Sequence, residues 1–157
     1  MTLPPAPPPS SATATMRANR ATNTGPEVAL RRELHARGCR YRLGVRLVLP
    51  ARAVRPDVTF RKQRVAVFVD GCFWHSCPTH GRKPSDPTGY WAAKLGRNRD
   101  RDDAVNRALD EAGWSVIRIW EHEPVAEAAD RVIAALQTSA SGGHQRVATL
   151  ETRESRR

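Results

Sequence analysis

The chain has 157 residues, and its 26 Lys and Arg against 16 Asp and Glu give a net charge of +10 and a pI of about 10.9. That length supports one domain with a real core, and the positive charge, densest from Arg17 to Arg64, points to a polyanionic partner, most often nucleic acid. No apolar run is long enough to span a membrane, and the opening MTLPPAPPPSSATAT lacks the basic-then-apolar order of a signal peptide. Three Cys, two of them close together, fit a reduced cytoplasmic protein with thiols available for metal better than a disulfide framework.

Residues 1–15 are Pro, Ala, Ser and Thr with almost nothing to bury, and are expected to be disordered. The folded part is expected over 16–137, with a loose polar tail over 138–157. A first helix is predicted from Thr24, with Pro26 in the first turn, Glu27 completing a capping box and Gly38 as the stop. Tyr41–Leu43 and Leu47–Leu49 read as short extended pieces, interrupted by Pro50 and Pro56. Asp57–Phe60 and Val65–Val69 read as strands around a turn at 61–64, the second apolar enough to be covered on both faces. A Gly/Pro/Cys/His-rich loop over 71–89 leads to a long helix from Tyr90 to Ala112, closed by Gly113. Trp114–Trp120 is a further strand with Arg118 inside it, and Glu123–Leu136 a last amphipathic helix. The order α, β, β, β, α, β, α implies an α/β domain with a mixed sheet flanked by helices.

The loop holds the sharpest chemical signal. Cys72, Cys77 and His80 have the spacing C-x4-C-x2-H, and thiolate with imidazole favours Zn²⁺ over hard cations. The fourth ligand is His75 or His122. If the Trp114–Trp120 strand pairs beside Val65–Val69, His122 reaches the loop, closes a four-ligand structural site and leaves His75 for other work.

Asp57 opens one strand and Asp70 closes the next, so adjacent strands can bring the two carboxylates together. Phosphodiester hydrolysis needs Mg²⁺ on carboxylates, a base for water, and positive charge near the phosphate. Asp57 is the candidate metal ligand, His75 the candidate base, and Glu27 a candidate third member. On the long helix, the stripe Trp91, Leu95, Asn98, Asp102, Val105, Leu109 and Ala112 is apolar at both ends and polar in the middle, which aims Asn98 and Asp102 at a site or a buried Arg. The alternative is a rotated face using Ala92, Ala108 and Leu109. Phe73 and Trp74, adjacent on the loop, either fill the core or wedge between bases, with Trp91 as a third ring.

These elements together resemble the very short patch repair (Vsr) endonucleases. The resemblance runs from Met16-Arg17-Ala18 to Trp120-Glu121-His122, through Thr24 and Glu27, Arg55-Pro56-Asp57, the Gly71-Cys72-Phe73-Trp74-His75 run, Tyr90-Trp91, Lys94 to Asn98, and Gly113-Trp114. It implies a restriction-endonuclease-like αβββαβ core and a Mg²⁺-dependent, strand-specific nick beside the T of a T:G mismatch left by deamination of 5-methylcytosine. It also implies a monomer acting on duplex DNA, in the cytoplasm and associated with the nucleoid. By the same resemblance Asp57 would bind Mg²⁺ with the Val69 backbone carbonyl, His75 would be the base, and Glu27 an active-site glutamate. Cys72, Cys77, His80 and His122 would hold Zn²⁺. Phe73, Trp74 and Trp91 would intercalate, and Met16, Lys94 and Asn98 would contact the mismatch or its flanks. Asp70 stands where some members have His, so it is a further candidate for a metal ion or its bound water. Two other readings fit the sequence: a zinc-stabilised DNA-binding module without cleavage, and a related nuclease with a different DNA substrate.

Overall fold

The computed structural model describes residues 23–81 and 88–141. Met16, the Pro-rich start and residues 142–157 lie outside the described residues. Among the described residues eight elements follow in order: α1 (Gly25–Ala36), β1 (Leu47–Val48), β2 (Ala53–Val54), β3 (Val58–Phe60), β4 (Val65–Asp70), α2 (Tyr90–Glu111), β5 (Ser115–Trp120) and α3 (Val125–Ser141).

The central sheet has the order β3-β4-β5. β3 and β4 are antiparallel, Val58 opposite Val67, whereas β4 and β5 are parallel, Val65 opposite Ser115 through Asp70 opposite Trp120. The parallel pair requires a crossover, and α2 supplies it. Because strand side chains alternate, β4 and β5 serve two cores. Val65, Val67, Ile117 and Ile119 pack with Leu30 and Leu34 of α1 and Ala128, Ala129 and Val132 of α3. Ala66, Phe68 and Val116 face the other way, onto Leu109 of α2 and Leu47 and Val54 of the hairpin. The near-continuous apolar run of β4 is thus explained by cover on both faces.

Helix ends follow the sequence closely on one side and less so on the other. Gly38 and Gly113 adopt φ of +83° and +79°, and each sits in a Schellman closure. Cys39 N–H bonds Leu34 O with Gly38 N–H on His35 O, and Trp114 N–H bonds Leu109 O with Gly113 N–H on Asp110 O. At the start of α1 the expected reciprocal capping box does not form. Thr24 Oγ1 donates to Glu27 Oε1 at 3.2 Å, and Glu27 Oε2 accepts the Asn23 N–H at 2.9 Å. Glu27 is consequently turned inward and buried.

Three other expectations change. Leu47–Leu49 is extended as read, but it forms with Ala53–Val54 a separate two-stranded antiparallel hairpin outside the main sheet. Tyr41–Leu43 is not a strand; Arg42 alone makes a bridge to Thr59. Helix α3 continues past Leu136 to Ser141, into the segment expected to be loose. On α2, Trp91, Leu95 and Leu109 are buried and Ala92 is exposed, so the stripe with the polar middle is the inward one.

Leu34 is fully buried between α1, the sheet and α3. Leu34→Ala should lower stability by about 3 kcal/mol, the typical cost of a large-to-small cavity in a close-packed core, read by urea unfolding.

Candidate active site and metal centre

The end of the β4–β5 ladder organises everything that follows. Past Asp70 and Trp120 the two chains stay joined: Glu121 N–H donates to Asp70 O at 3.0 Å, and the Cys72 N–H donates to Glu121 Oε1 at 2.8 Å. Cys72 and His122, 50 residues apart, therefore meet, with Cys72 Sγ 3.0 Å from His122 Nδ1. Cys77 Sγ lies 3.7 Å from the same nitrogen. The ligand atoms of Cys72, Cys77, His80 and His122 all fall within 4.8 Å of one another. The loop is wound tightly to achieve this: His75 N–H bonds Gly71 O, Cys77 N–H bonds Cys72 O, and Gly81 N–H bonds Cys77 O. A side chain at Gly81 would bring Cβ to 2.5 Å from Cys77 O, so only glycine fits where the turn closes.

Charge in this cluster is divided. Burial, reinforced by the neighbouring Cys77 sulfur, pushes the Cys72 thiol up to about 11. Burial works against Cys77 as well, but the backbone N–H groups of His80 and Thr79 outweigh it and hold that thiol below its ordinary value. Two thiols and two imidazoles facing one point are the donor set of a four-ligand metal centre, and deprotonating Cys72 would be part of binding. His75 is not in this group.

His75 turns instead toward α2. Its Nδ1 lies 2.5 Å from Asp102 Oδ2 and 3.8 Å from Asp70 Oδ1. The Nδ1 contact leaves Nε2 as the nitrogen that can take a proton from water. Asp102 was visible in the sequence only as an inward polar residue. Asn98, its neighbour one turn earlier, donates to the Trp74 carbonyl at 3.2 Å and so tethers the loop to α2.

Asp57 sits at the start of β3, half-buried, and its Oδ2 accepts the Val69 N–H at 2.8 Å. Burial pushes its carboxyl up to about 6; the Val69 N–H opposes this, while the charges of Glu27 and Asp70 add to it. Glu27 is held by Arg31 at 3.1 Å. Asp70 is also buried, and both of its oxygens accept from Arg118 Nη1, at 2.8 and 2.9 Å. Arg118, unremarkable in the sequence beyond being a charge in an apolar strand, is thus the counter-charge for the one carboxylate of β4.

Phe73, Trp74, Tyr90 and Trp91 form one aromatic cluster. Phe73 contacts Trp74 and Trp91 edge-on, with ring centroids 5.2 and 5.6 Å apart, and Trp74 lies 6.3 Å from Trp91. Trp91 is 2 % exposed, so it is the floor of the cluster and not a ring presented to solvent. Phe73 and Trp74 are partly exposed above it. Lys94 Nζ stands 5.5 to 5.6 Å from the Trp74, Tyr90 and Trp91 ring centres, an ammonium over aromatic faces.

The raised Asp57 carboxyl makes a stability prediction. Its folded value of about 6 lies above the unfolded value of 3.8. Between those values the folded state binds more protons, so stability falls as pH rises through that window. Asp57→Asn keeps an acceptor for the Val69 N–H and removes the charge. Measured without added Mg²⁺, it should raise stability at pH 7.5 by about 1 to 2 kcal/mol, discounted for partial exposure, and flatten the decline between about pH 4 and 6.

Comparison with known proteins gives the family of the chain. The family described as DNA mismatch endonuclease Vsr matches residues 8–80. The chain is 49% identical over 122 residues to the type II nicking enzyme V.NaeI of Lentzea aerocolonigenes, covering 77% of this chain and 74% of that protein. It is 41% identical over 105 residues to the type II nicking enzyme V.XorIIP of Xanthomonas oryzae, covering 66% and 74%. It is 38% identical over 68 residues to the DNA mismatch endonuclease Vsr of Escherichia coli, covering 43% and 44%. Among the described residues no helix is long and apolar enough to cross a membrane. The chain belongs to the Vsr family and is a DNA endonuclease with a restriction-endonuclease-like α/β fold and a Cys/His cluster able to hold a metal ion.

Proposed function

We propose that the protein makes a Mg²⁺-dependent, strand-specific nick beside the T of a T:G mismatch, the lesion left by deamination of 5-methylcytosine, and acts in the cytoplasm as a monomer on nucleoid DNA. One observation carries the reading. A single loop presents the aromatic pair Phe73 and Trp74 and, on the next residue, an imidazole whose Nδ1 is already engaged by Asp102.

The donor chemistry fits both metals. Around Asp57, a half-buried carboxylate near two other acids is short of positive charge, as a site for a hard divalent cation would be. Mg²⁺ there, on Asp57 and the Val69 carbonyl, would neutralise charge building on the phosphate during cleavage. Cys72, Cys77, His80 and His122 suit Zn²⁺ with no position left open, which makes that site a staple for the loop.

The chain's own residues supply the other parts. Asp102 accepts from His75 Nδ1–H and fixes the ring, so Nε2 takes the proton from the attacking water. Glu27 adds negative charge at the rim of the Asp57 site. Phe73 and Trp74 would insert where the wobble pair stacks poorly, with buried Trp91 as a rigid support beneath them. Trp91 thereby takes a supporting role in place of the intercalating one expected from the sequence. Lys94 rides over the same rings, close to any backbone they enter, and Asn98 holds their loop. The Arg-rich surface supplies the salt-dependent part of binding. Asp70, occupied by Arg118, is assigned no direct metal contact.

Two assays check this. Labelled duplexes with one T:G or a matched C:G pair should be nicked only when mismatched and only with Mg²⁺. His75→Ala and Asp57→Ala should each lower the rate by at least about 100-fold, the usual scale for a general base or a charge-stabilising group. Equal cutting of both duplexes would show a nuclease of different substrate, and binding without any nick would show a DNA-binding module. Trp74→Ala should narrow the preference for mismatch more than it slows the saturated rate. Metal analysis of the purified protein should give about one Zn²⁺ per chain, lost in Cys72→Ser but retained in His75→Ala.

A further inference from the structure

The polar network behind His75 contains a residue that no role above requires. Arg118 stands on β5 beside Phe68 of β4, and its guanidinium lies 4.7 Å from the Phe68 ring centre. Each of its three nitrogens faces a partner. Nη1 grips both oxygens of Asp70 at 2.8 and 2.9 Å, and Nε donates to Asn106 Oδ1 at 2.9 Å. Nη2 stands 3.5 Å from Asp102 Oδ1, while the other oxygen of that same carboxylate meets His75. Asp102 and Asn106 are one helical turn apart, so α2 offers them to Arg118 as a pair.

We infer that Arg118 is a positioning residue for cleavage: anchored on Asp70, its fork fixes the Asp102 carboxylate that orients His75. The rigidity of the fork is what makes the arrangement work. A guanidinium is planar and presents donors at set angles, so holding Asp70 and Asn106 dictates where Nη2 sits, and hence which way Asp102 turns. The Phe68 ring prevents the plane from tilting. Three elements, β4, β5 and α2, are thereby referred to one side chain. Asp70 likewise receives a purpose that its burial and pairing support: it anchors the fork.

This inference rests on the nuclease reading of His75, so its test has an arm that needs no DNA. Wild type, Arg118→Lys, Arg118→Met and the pair Asp70→Asn with Arg118→Met are compared, and Asp102→Asn is made in wild-type and Arg118→Met backgrounds. Single-turnover nicking gives the saturated rate and the DNA concentration at half-saturation. Long-range ¹H–¹⁵N spectra of the imidazoles at fixed pH, on free protein, report the His75 tautomer.

Arg118→Met should lower the saturated rate by about 100-fold, as for loss of alignment at a distance from the reacting atoms, and change half-saturation less than about twofold. Arg118→Lys should recover part of the rate, since it restores charge without the fork. Asp102→Asn should cost little further once Arg118 is gone, because the two act as a unit. In the spectra, one His75 tautomer in wild type should become a mixture in Arg118→Met.

If Arg118→Met fails to fold by circular dichroism, the Asp70→Asn partner removes the orphaned buried charge, and the double variant should fold yet remain slow and tautomerically mixed. The inference is overturned if the folded variants keep the wild-type rate, if the Asp102→Asn loss is the same in both backgrounds, or if the His75 tautomer does not change. Should wild type fail to nick the T:G duplex, the substrate reading falls, and the imidazole spectra still decide the role of Arg118.

Discussion

The six-residue parallel ladder between β4 and β5 is the constraint on which the site depends. It ends both strands at the same level, Asp70 beside Trp120, and the two following chains leave together. That is why thiols at 72 and 77 find a histidine at 122. It also fixes which residues face α2. A slip of one residue would turn Arg118 into the core lined by α1 and α3 and bring Ile117 or Ile119 to the active side. A parallel pair needs a long connection, and here the connection is α2, which carries Asn98, Asp102 and Asn106. The same helix that makes the topology feasible is the far wall of the site.

Acidic residues are crowded at this end of the sheet, and their partners sort them. Arg31 takes Glu27 and Arg118 takes Asp70. Asp57 makes no ion pair among the described residues and has the Val69 N–H as its hydrogen-bond donor. Burial therefore pushes its carboxyl up, to about 6. Taking one member from a buried pair leaves a charge without an answer, at a cost of about 3 to 5 kcal/mol, whereas replacing both with apolar groups is often neutral. Stability alone is thus a weak reason to keep Asp70 and Arg118. Under the proposed function, leaving Asp57 as the acid to receive a cation and fixing Asp102 behind His75 is a stronger one.

The sequence was legible where a local pattern decided the outcome. The run Val65–Val69 announced a strand covered on two faces, Gly38 and Gly113 announced helix ends, and the Cys/His spacing announced the cluster, with His122 joining through the strand pairing that was assumed. It was opaque where two distant residues had to choose each other. Nothing near Asp70 says that its partner is 48 residues away on β5. The hairpin hid because each strand is only two residues long and Pro50 lies between them. The Thr24 box misled because Glu27 had a second use: its carboxylate caps Asn23 and pairs with Arg31 from a buried position. That Trp91 would lie buried beneath Phe73 and Trp74 was also hidden, because aromatics near a loop carry no mark of which side they will face.

Under the proposed function, the loop from Gly71 to Gly81 reconciles two requirements that pull in opposite directions. Aromatic side chains that enter a duplex must be partly exposed before they bind, yet exposed rings on a glycine-rich loop lose too little water to hold it in one shape. Here the shape comes from elsewhere. The cluster of Cys72, Cys77, His80 and His122 fixes the loop ends, Asn98 holds the Trp74 carbonyl, and Trp91 fills the space below. Because His75 follows Trp74 directly, any shift of the aromatic pair shifts the imidazole too. Under the proposed function, recognition of the mismatch and placement of the base are then a single mechanical event. Arg118 and Asp102 provide the fixed surface against which that event is registered, so poor stacking at one base pair can be converted into alignment of one nitrogen.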